Sequence, residues 1–141
     1  MIRKAFHASA IAAFFLIFFP LAAEQIQPTG GAAILAISPV PGTSNFFVSG
    51  NDGFVSLCAP DGFLDRWQLS TLPIRIVSVH PDGNRVAIFE SDGFSVNRVS
   101  VWDWKTKTRL FAKRFRDSVI SLSGSAKGSW LIIGNTSVDG I

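Results

Sequence analysis

The sequence has 141 residues, enough for one domain with little to spare. Its 48% hydrophobic and 16% charged content excludes a disordered tail, and its single Cys excludes an intramolecular disulfide or a Cys-cluster metal site. The 13 Lys plus Arg against 10 Asp plus Glu become 11 against 10 once Arg3 and Lys4 are set aside with the N-terminal segment, so a strongly basic nucleic-acid binder is not indicated.

That segment carries an export pattern. Met1 to Lys4 is a short cationic start, and Ala5 to Ala23 contains no Asp, Glu, Lys or Arg. The apolar run Ile11 to Phe19 is followed by Pro20, small residues and the first acid, Glu24. Charge, short apolar stretch, breaker and small residues together make a secretory signal, here residues 1–23. An uncleaved anchor is the rival reading, since 19 uncharged residues could just cross a bilayer. Either way residues 24–141 are expected outside the cytoplasm, periplasmic or extracellular, with no membrane span of their own.

From Glu24 onward, short runs rich in Val, Ile and Phe alternate with clusters of Gly, Pro, Asn, Asp and Ser, the pattern of an all-β chain. The runs repeat. Leu35–Pro39 aligns with Val77–Pro81 and Ile120–Gly124, which places Ile37, Val79 and Leu122 in register at spacings of 42 and 43. Asn45–Gly50, Arg85–Glu90 and Trp130–Gly134 follow, then turns at Asn51–Gly53, Ser91–Gly93 and, more weakly, Asn135–Ser137. Third runs lie at Phe54–Cys58 and Arg98–Trp104, fourth runs at Phe63–Gln68 and Arg109–Lys113. Four short strands in about 42 residues is the period of a propeller blade. Val86, Ala87, Ile88 and Phe89 are apolar at both parities, as a sheet stacked on both faces requires. The expected architecture is therefore β-propeller blades, each a four-stranded antiparallel meander. Two are complete and one is partial, over about 33–70, 74–115 and 118–141. A closed propeller has 4 to 8 blades, so the expectation is a portion of a longer protein, with remaining blades or an oligomer supplying closure.

Ile76 to Gly93 followed by Val99–Asp103 resembles a WD40 repeat: an apolar strand, a Pro-Asp-Gly turn, a second strand, an Asp-Gly turn and a strand ending in Trp102-Asp103. Asp52 and Asp92 match the family's turn aspartate, while Cys58-Ala59 stands where the first unit would carry Trp-Asp. The Gly-His dipeptide of the family is missing, so its His-to-Asp hydrogen-bonded tetrad is not expected in full. Periplasmic TolB-type propellers carry similar blades and remain a close rival. The resemblance implies a non-catalytic scaffold that binds another protein, with Asp52, Asp92, Trp102 and Asp103 as structural repeat positions.

The residues themselves point to no catalysis. The chain after the signal holds one His, His80, beside a Pro-Asp-Gly turn, and one Cys, Cys58, read as a buried strand residue. Asp52, Asp61, Asp82 and Asp92 are explained by turn chemistry. Gly124 to Ser129 lacks P-loop spacing and reads as a turn. No cofactor or metal is expected. Six cations, Lys105, Lys107, Arg109, Lys113, Arg114 and Arg116, lie within twelve residues and read as a solvated outer strand. Asn135 to Ser137 fits a glycosylation sequon. The local departure from the repeat is Phe94–Arg98, an insertion between strands two and three of the second unit. Rim loops carry binding, so Phe94, Asn97 and Arg98 are the expected partner contacts. Alternatives are a TolB-like envelope accessory protein, or part of a lactonase-type or quinoprotein-type propeller enzyme whose site lies in other blades.

Overall fold

A computed structural model describes residues 32–127 and 131–135. These form ten strands: β1 Ile34–Pro39, β2 Phe46–Gly50, β3 Phe54–Ala59, β4 Gly62–Gln68, β5 Ile74–Val79, β6 Arg85–Ser91, β7 Asn97–Asp103, β8 Thr108–Phe115, β9 Val119–Gly124 and β10 Leu131–Asn135. The described residues contain no helix. The strands make antiparallel sheets in simple meander order, β1-β2-β3-β4, β5-β6-β7-β8 and the pair β9-β10. These are two four-stranded propeller blades and the inner pair of a third. The signal segment, Trp130 and residues 136–141 lie outside the described residues.

The blades stack because their middle strands serve two cores at once. In β6, Val86 and Ile88 join the core shared with the first blade, whereas the alternate residues Ala87 and Phe89 join the core shared with the third. A strand's side chains alternate across the sheet, so an unbroken apolar run is what two covered faces demand. The first interface gathers Phe47, Val55, Leu57 and Trp67 against Ile74, Val77 and Val79. Phe47 sits at its centre, edge-on to Trp67 at 5.8 Å and to Trp104 at 5.7 Å between ring centroids. Two hydrogen bonds bind the blades at their inner strands: Ser49 Oγ donates to Ile74 O and Val79 N donates to Ser38 Oγ, both at 3.1 Å.

The turns revise the repeat. In the first blade Val40 N donates to Asn45 O at 2.9 Å, and in the second His80 N donates to Arg85 O at 2.8 Å. Pro41, not Pro39, is therefore the counterpart of Pro81. Each first strand also carries an irregularity near its start, opposite Gly50, Glu90 and Asn135. Anchored there, the matching residues are Ile37, Val77 and Leu122, spaced 40 and 45 apart rather than 42 and 43. Matching Pro39 to Pro81 in the sequence sets the second unit two residues out of register with the other two. The β6–β7 hairpin is four residues longer than β2–β3, two of them in the loop and two in the added ladder pair Ser91 and Asn97.

One glycine is fixed by close approach. Gly53 has φ 76°, and a Cβ there would meet Ser70 O at 2.0 Å. Its own carbonyl accepts the N–H groups of Leu69 and Ser70, both at 3.1 Å. The β2–β3 turn is thereby clamped to the linker that leads into the second blade.

Candidate functional site

The β6–β7 loop, residues 92–96, is the largest local addition to the repeat, and Asp92 organises it. Asp92 Oδ1 accepts the N–H groups of Phe94, Ser95 and Val96, each at 2.9 Å, and Oδ2 accepts the Ser95 hydroxyl at 2.9 Å. Asp92 N closes the loop on Val96 O at 3.3 Å. The hydrogen bonds from Val96 and Phe94 hold the Asp92 carboxyl well below the usual carboxylate range. Underneath, Ser91 Oγ accepts Gly93 N and donates to Asn97 Oδ1, both at 2.9 Å. The outcome is a braced loop with Phe94 at its tip, 94% exposed.

Asn97 and Arg98 do not share that exposure, which corrects the expectation that both lie on the loop. They are the first two residues of β7. Asn97 is taken up by Ser91 and by its own amide, which donates to Arg116 O at 3.2 Å. Arg98 sits directly across the ladder from Glu90 and forms an ion pair with it. Glu90 is 1% exposed, and its Oε2 has no hydrogen-bond partner among the described residues. A buried carboxylate needs a paired cation, so the part-exposed Arg98 is committed to Glu90. The carboxylate in turn raises the Arg98 pKa. The sequence shows one sign of this: a Glu closing the apolar run Val86–Phe89, with an Arg eight residues on.

The repeat positions have local structural roles. Asp52 Oδ1 accepts Phe54 N at 3.1 Å, and its other oxygen pairs with Arg66. Asp103 Oδ1 accepts Lys105 N at 3.0 Å and Thr106 N at 2.9 Å, which closes the β7–β8 turn and lowers the Asp103 pKa, the Thr106 N–H foremost. Trp102 packs on the first interface and donates its indole N–H to Ser100 Oγ at 2.9 Å. No hydrogen bond among the described residues joins Trp102 to Asp92, whose carboxylate is spent on its own loop. Cys58 pairs across the sheet at the position matching Trp102; burial pushes its thiol pKa up.

His80 also does turn work. Its Nδ1 lies 3.1 Å from Asp82 N and 3.0 Å from Asp82 Oδ2. Asp82 further accepts Asn84 N at 2.8 Å and Arg85 Nε at 2.7 Å. Partial burial pushes the Asp82 pKa up, but the hydrogen bonds from Asn84, Arg85 and His80 outweigh it and bring it down to about 2. Beside this turn, Ser78, His80, Arg85 and Gly124 line a cleft of about 50 Å³ between the second and third blades. That is room for a water or two. A Cβ on Gly124 would come within 2.5 Å of the His80 ring, so the blades touch there. Among the described residues, no three His, Cys, Asp or Glu side chains converge as a metal site, and no helix is long and apolar enough to cross a membrane.

The cations form the other surface feature. Strand β8 is exposed from Thr108 to Arg114. Arg109 lies over the Trp102 ring at 5.8 Å and Lys113 over Phe115 at 5.5 Å. Lys107 instead reaches the first blade, 3.0 Å from Asp65 and 5.2 Å over the Trp67 ring.

Comparison with known proteins agrees with this architecture. A protein of Treponema pallidum (strain Nichols), described as "Uncharacterized protein", is 48% identical over 97 residues, 68% of this chain. The match covers 16% of that relative, so the chain spans a small part of its length. A family model described as "N-terminal beta-propeller domain" matches residues 20–141, nearly the whole sequence, and the chain belongs to that β-propeller family.

Proposed function

We propose that the chain is an exported, non-enzymatic β-propeller scaffold of WD40-like kind, which holds a partner protein on the rim that carries residues 92–96. The observation that carries this reading is the ring of Phe94, 94% exposed on a loop whose backbone is already fixed by Asp92. An aromatic side chain on a pre-ordered backbone loses little entropy on docking, and such residues dominate interface energetics. Because Asn97 and Arg98 are engaged by partners within the blade, the contact proposed is Phe94 and its immediate loop. Export rests on the Arg3-to-Glu24 pattern. N-terminal sequencing of exported protein should begin at Glu24 or within a residue or two; recovery of Met1 in membranes would replace the signal with an anchor.

The test places a photoreactive amino acid at position 94 of the full chain in its own cells, with Leu64 as control. Leu64 is 53% exposed on β4 and stands outside the loop. A protein adduct from position 94 and none from position 64 is expected. Equal labelling at both, or none at 94, would defeat the rim assignment.

A further inference from the structure

We propose that β8, the outer strand of the second blade, is a docking edge that accepts an extended acidic peptide as an added strand, its side chains alternating acidic and apolar. This surface uses residues other than the 92–96 loop, so its failure leaves the rim reading untouched.

Three observations converge on it. The first is the open edge. β8 pairs with β7 on one side and, among the described residues, with no strand on the other. Such an edge presents unpaired backbone N–H and C=O groups to an incoming strand. The second is charge that takes part in no ion pair among the described residues. Among the described residues the acids near cations are engaged: Asp52 with Arg66, Asp65 with Lys107, Asp82 with Arg85 and Glu90 with Arg98. Arg109, Lys113 and Arg114 take part in none of these pairs. The third is spacing. The ladder slips at Leu110, so Arg109, opposite Trp102, shares a face with Ala112 and Arg114, whereas Phe111, opposite Val101 and 44% exposed, shares the other face with Lys113. Leu110, at the slip itself, is 55% exposed. A facing strand with carboxylates on the face of Arg109 and Arg114 and apolar residues on the face of Phe111 would satisfy all three, since opposed charges and apolar pairs across strands each stabilise a sheet.

Protection of the edge against self-association would also use cations. The first blade argues that it does not need them in this form. Its outer strand β4 occupies the same place and carries Asp65 and Arg66, both tied into ion pairs. The array on β8 is thus a feature of one blade and not of the repeat. Stacking of Arg109 and Lys113 over Trp102 and Phe115 holds their charges close to the strand. A polyanion that reads charge alone would leave Leu110 and Phe111 in water, which is why a peptide strand fits better than a sulfated polysaccharide.

The experiment titrates the full chain, at roughly physiological ionic strength, with a peptide alternating Glu and Val over about ten residues. Two controls are the same peptide with Pro at its central Val, which cannot complete a ladder, and heparin. The alternating peptide should bind. The Pro peptide should bind at least about tenfold more weakly, as should the alternating peptide to an Arg109→Glu, Arg114→Glu variant. Both changed residues are exposed, so circular dichroism should be unaltered; if it is not, Phe111→Ser and Arg114→Gln, tested singly, carry the same expectation. Equal binding of the two peptides, or heparin binding that the Glu–Val peptide cannot displace, would assign β8 to polyanions. Absence of peptide binding at this salt, or binding indifferent to the charge changes, would overturn the proposal.

Discussion

The first two blades have the same strand order and nearly the same turns, yet matching residues live in different surroundings. Ile34 and Ile37 of β1 are 48% and 62% exposed. Their counterparts Ile74 and Val77 in β5 are 0% and 5% exposed, and Val119 and Leu122 in β9 are 3% and 9%. The residue types are alike; what differs is the preceding blade. Each first strand is written to be covered from one side, and only β5 and β9 have that cover among the described residues. Burial in a stacked repeat is therefore a property of the neighbour as much as of the sequence.

The sharpest way to break this comparison is to shorten matching side chains. Ile74→Ala removes a fully buried side chain from the first interface and should cost about 2–5 kcal/mol. Ile34→Ala, with the same chemistry at the same place in the sheet, should cost less than about 1 kcal/mol. Urea midpoints of the two variants measure the difference. Equal losses would mean that the outer face of the first blade is as well covered as the interface.

The blades also differ at the end of the second strand. Gly50 in the first stands where the second has Glu90. Arg98→Ala would leave the Glu90 carboxylate buried without its cation. Because Arg98 itself is 28% exposed, water can reach part of the site, so we expect a loss of about 1–3 kcal/mol rather than the full cost of a sealed charge. The double change Arg98→Ala, Glu90→Gly, which rebuilds the first blade's glycine, should recover part of that loss. If it recovers nothing, the ion pair is not what holds these two residues.

Much of this was legible in the order of residues. Strand existence, the meander and the blade count follow from the turn clusters and from apolar runs at both parities, because those patterns state directly which faces are covered. The register was less legible. Pro39 and Pro41 both precede a turn-prone stretch, and only the backbone hydrogen bonds of Val40 and His80 show which one opens the turn. The insertion was visible, but its division was not: Asn97 and Arg98 look like loop residues until their partners Arg116 and Glu90 are brought alongside by folding. Long-range partners of polar residues are the part that local pattern does not encode.

The two β-turns offer a test by pH. The first blade closes its turn with a neutral hydroxyl, Thr43 Oγ1, which accepts Asn45 N at 3.1 Å and donates to Val40 O at 3.0 Å. The second uses Asp82, whose pKa falls from 3.8 to about 2 on folding. A carboxyl with a lowered folded pKa stabilises above its unfolded value and loses that contribution as pH falls through the folded one. Asp82→Asn should therefore be less stable than the parent at pH 7, and the gap should close between about pH 4 and pH 2. The side chain is 32% exposed, so solvent screening limits the gap to about 1 kcal/mol or less. Thr43→Val in the first blade should show no such pH dependence. A gap that persists unchanged at pH 2 would mean that Asp82 acts through its shape and not its charge.

The smallest effect on stability is expected where the functional contrast is greatest. Both blades place a Phe directly after an Asp-Gly turn, Phe54 after Gly53 and Phe94 after Gly93. In the first blade the added loop is absent, and the ring of Phe54 is part-buried under the Arg66 guanidinium at 4.1 Å from its centroid. In the second, the loop lifts Phe94 away from the sheet and leaves it 94% exposed. Phe54→Ala should thus lower stability by about 1–2 kcal/mol through lost packing and lost cation–π attraction. Phe94→Ala should change it by no more than about 0.5 kcal/mol, since the ring touches little in the folded chain. Yet it is Phe94→Ala that should abolish capture of the partner, and Phe54→Ala, at a temperature where it stays folded, that should not. Melting curves and partner capture on the same two variants decide it. If Phe94→Ala destabilises as much as Phe54→Ala, the ring packs on its own blade in solution and is not free to dock.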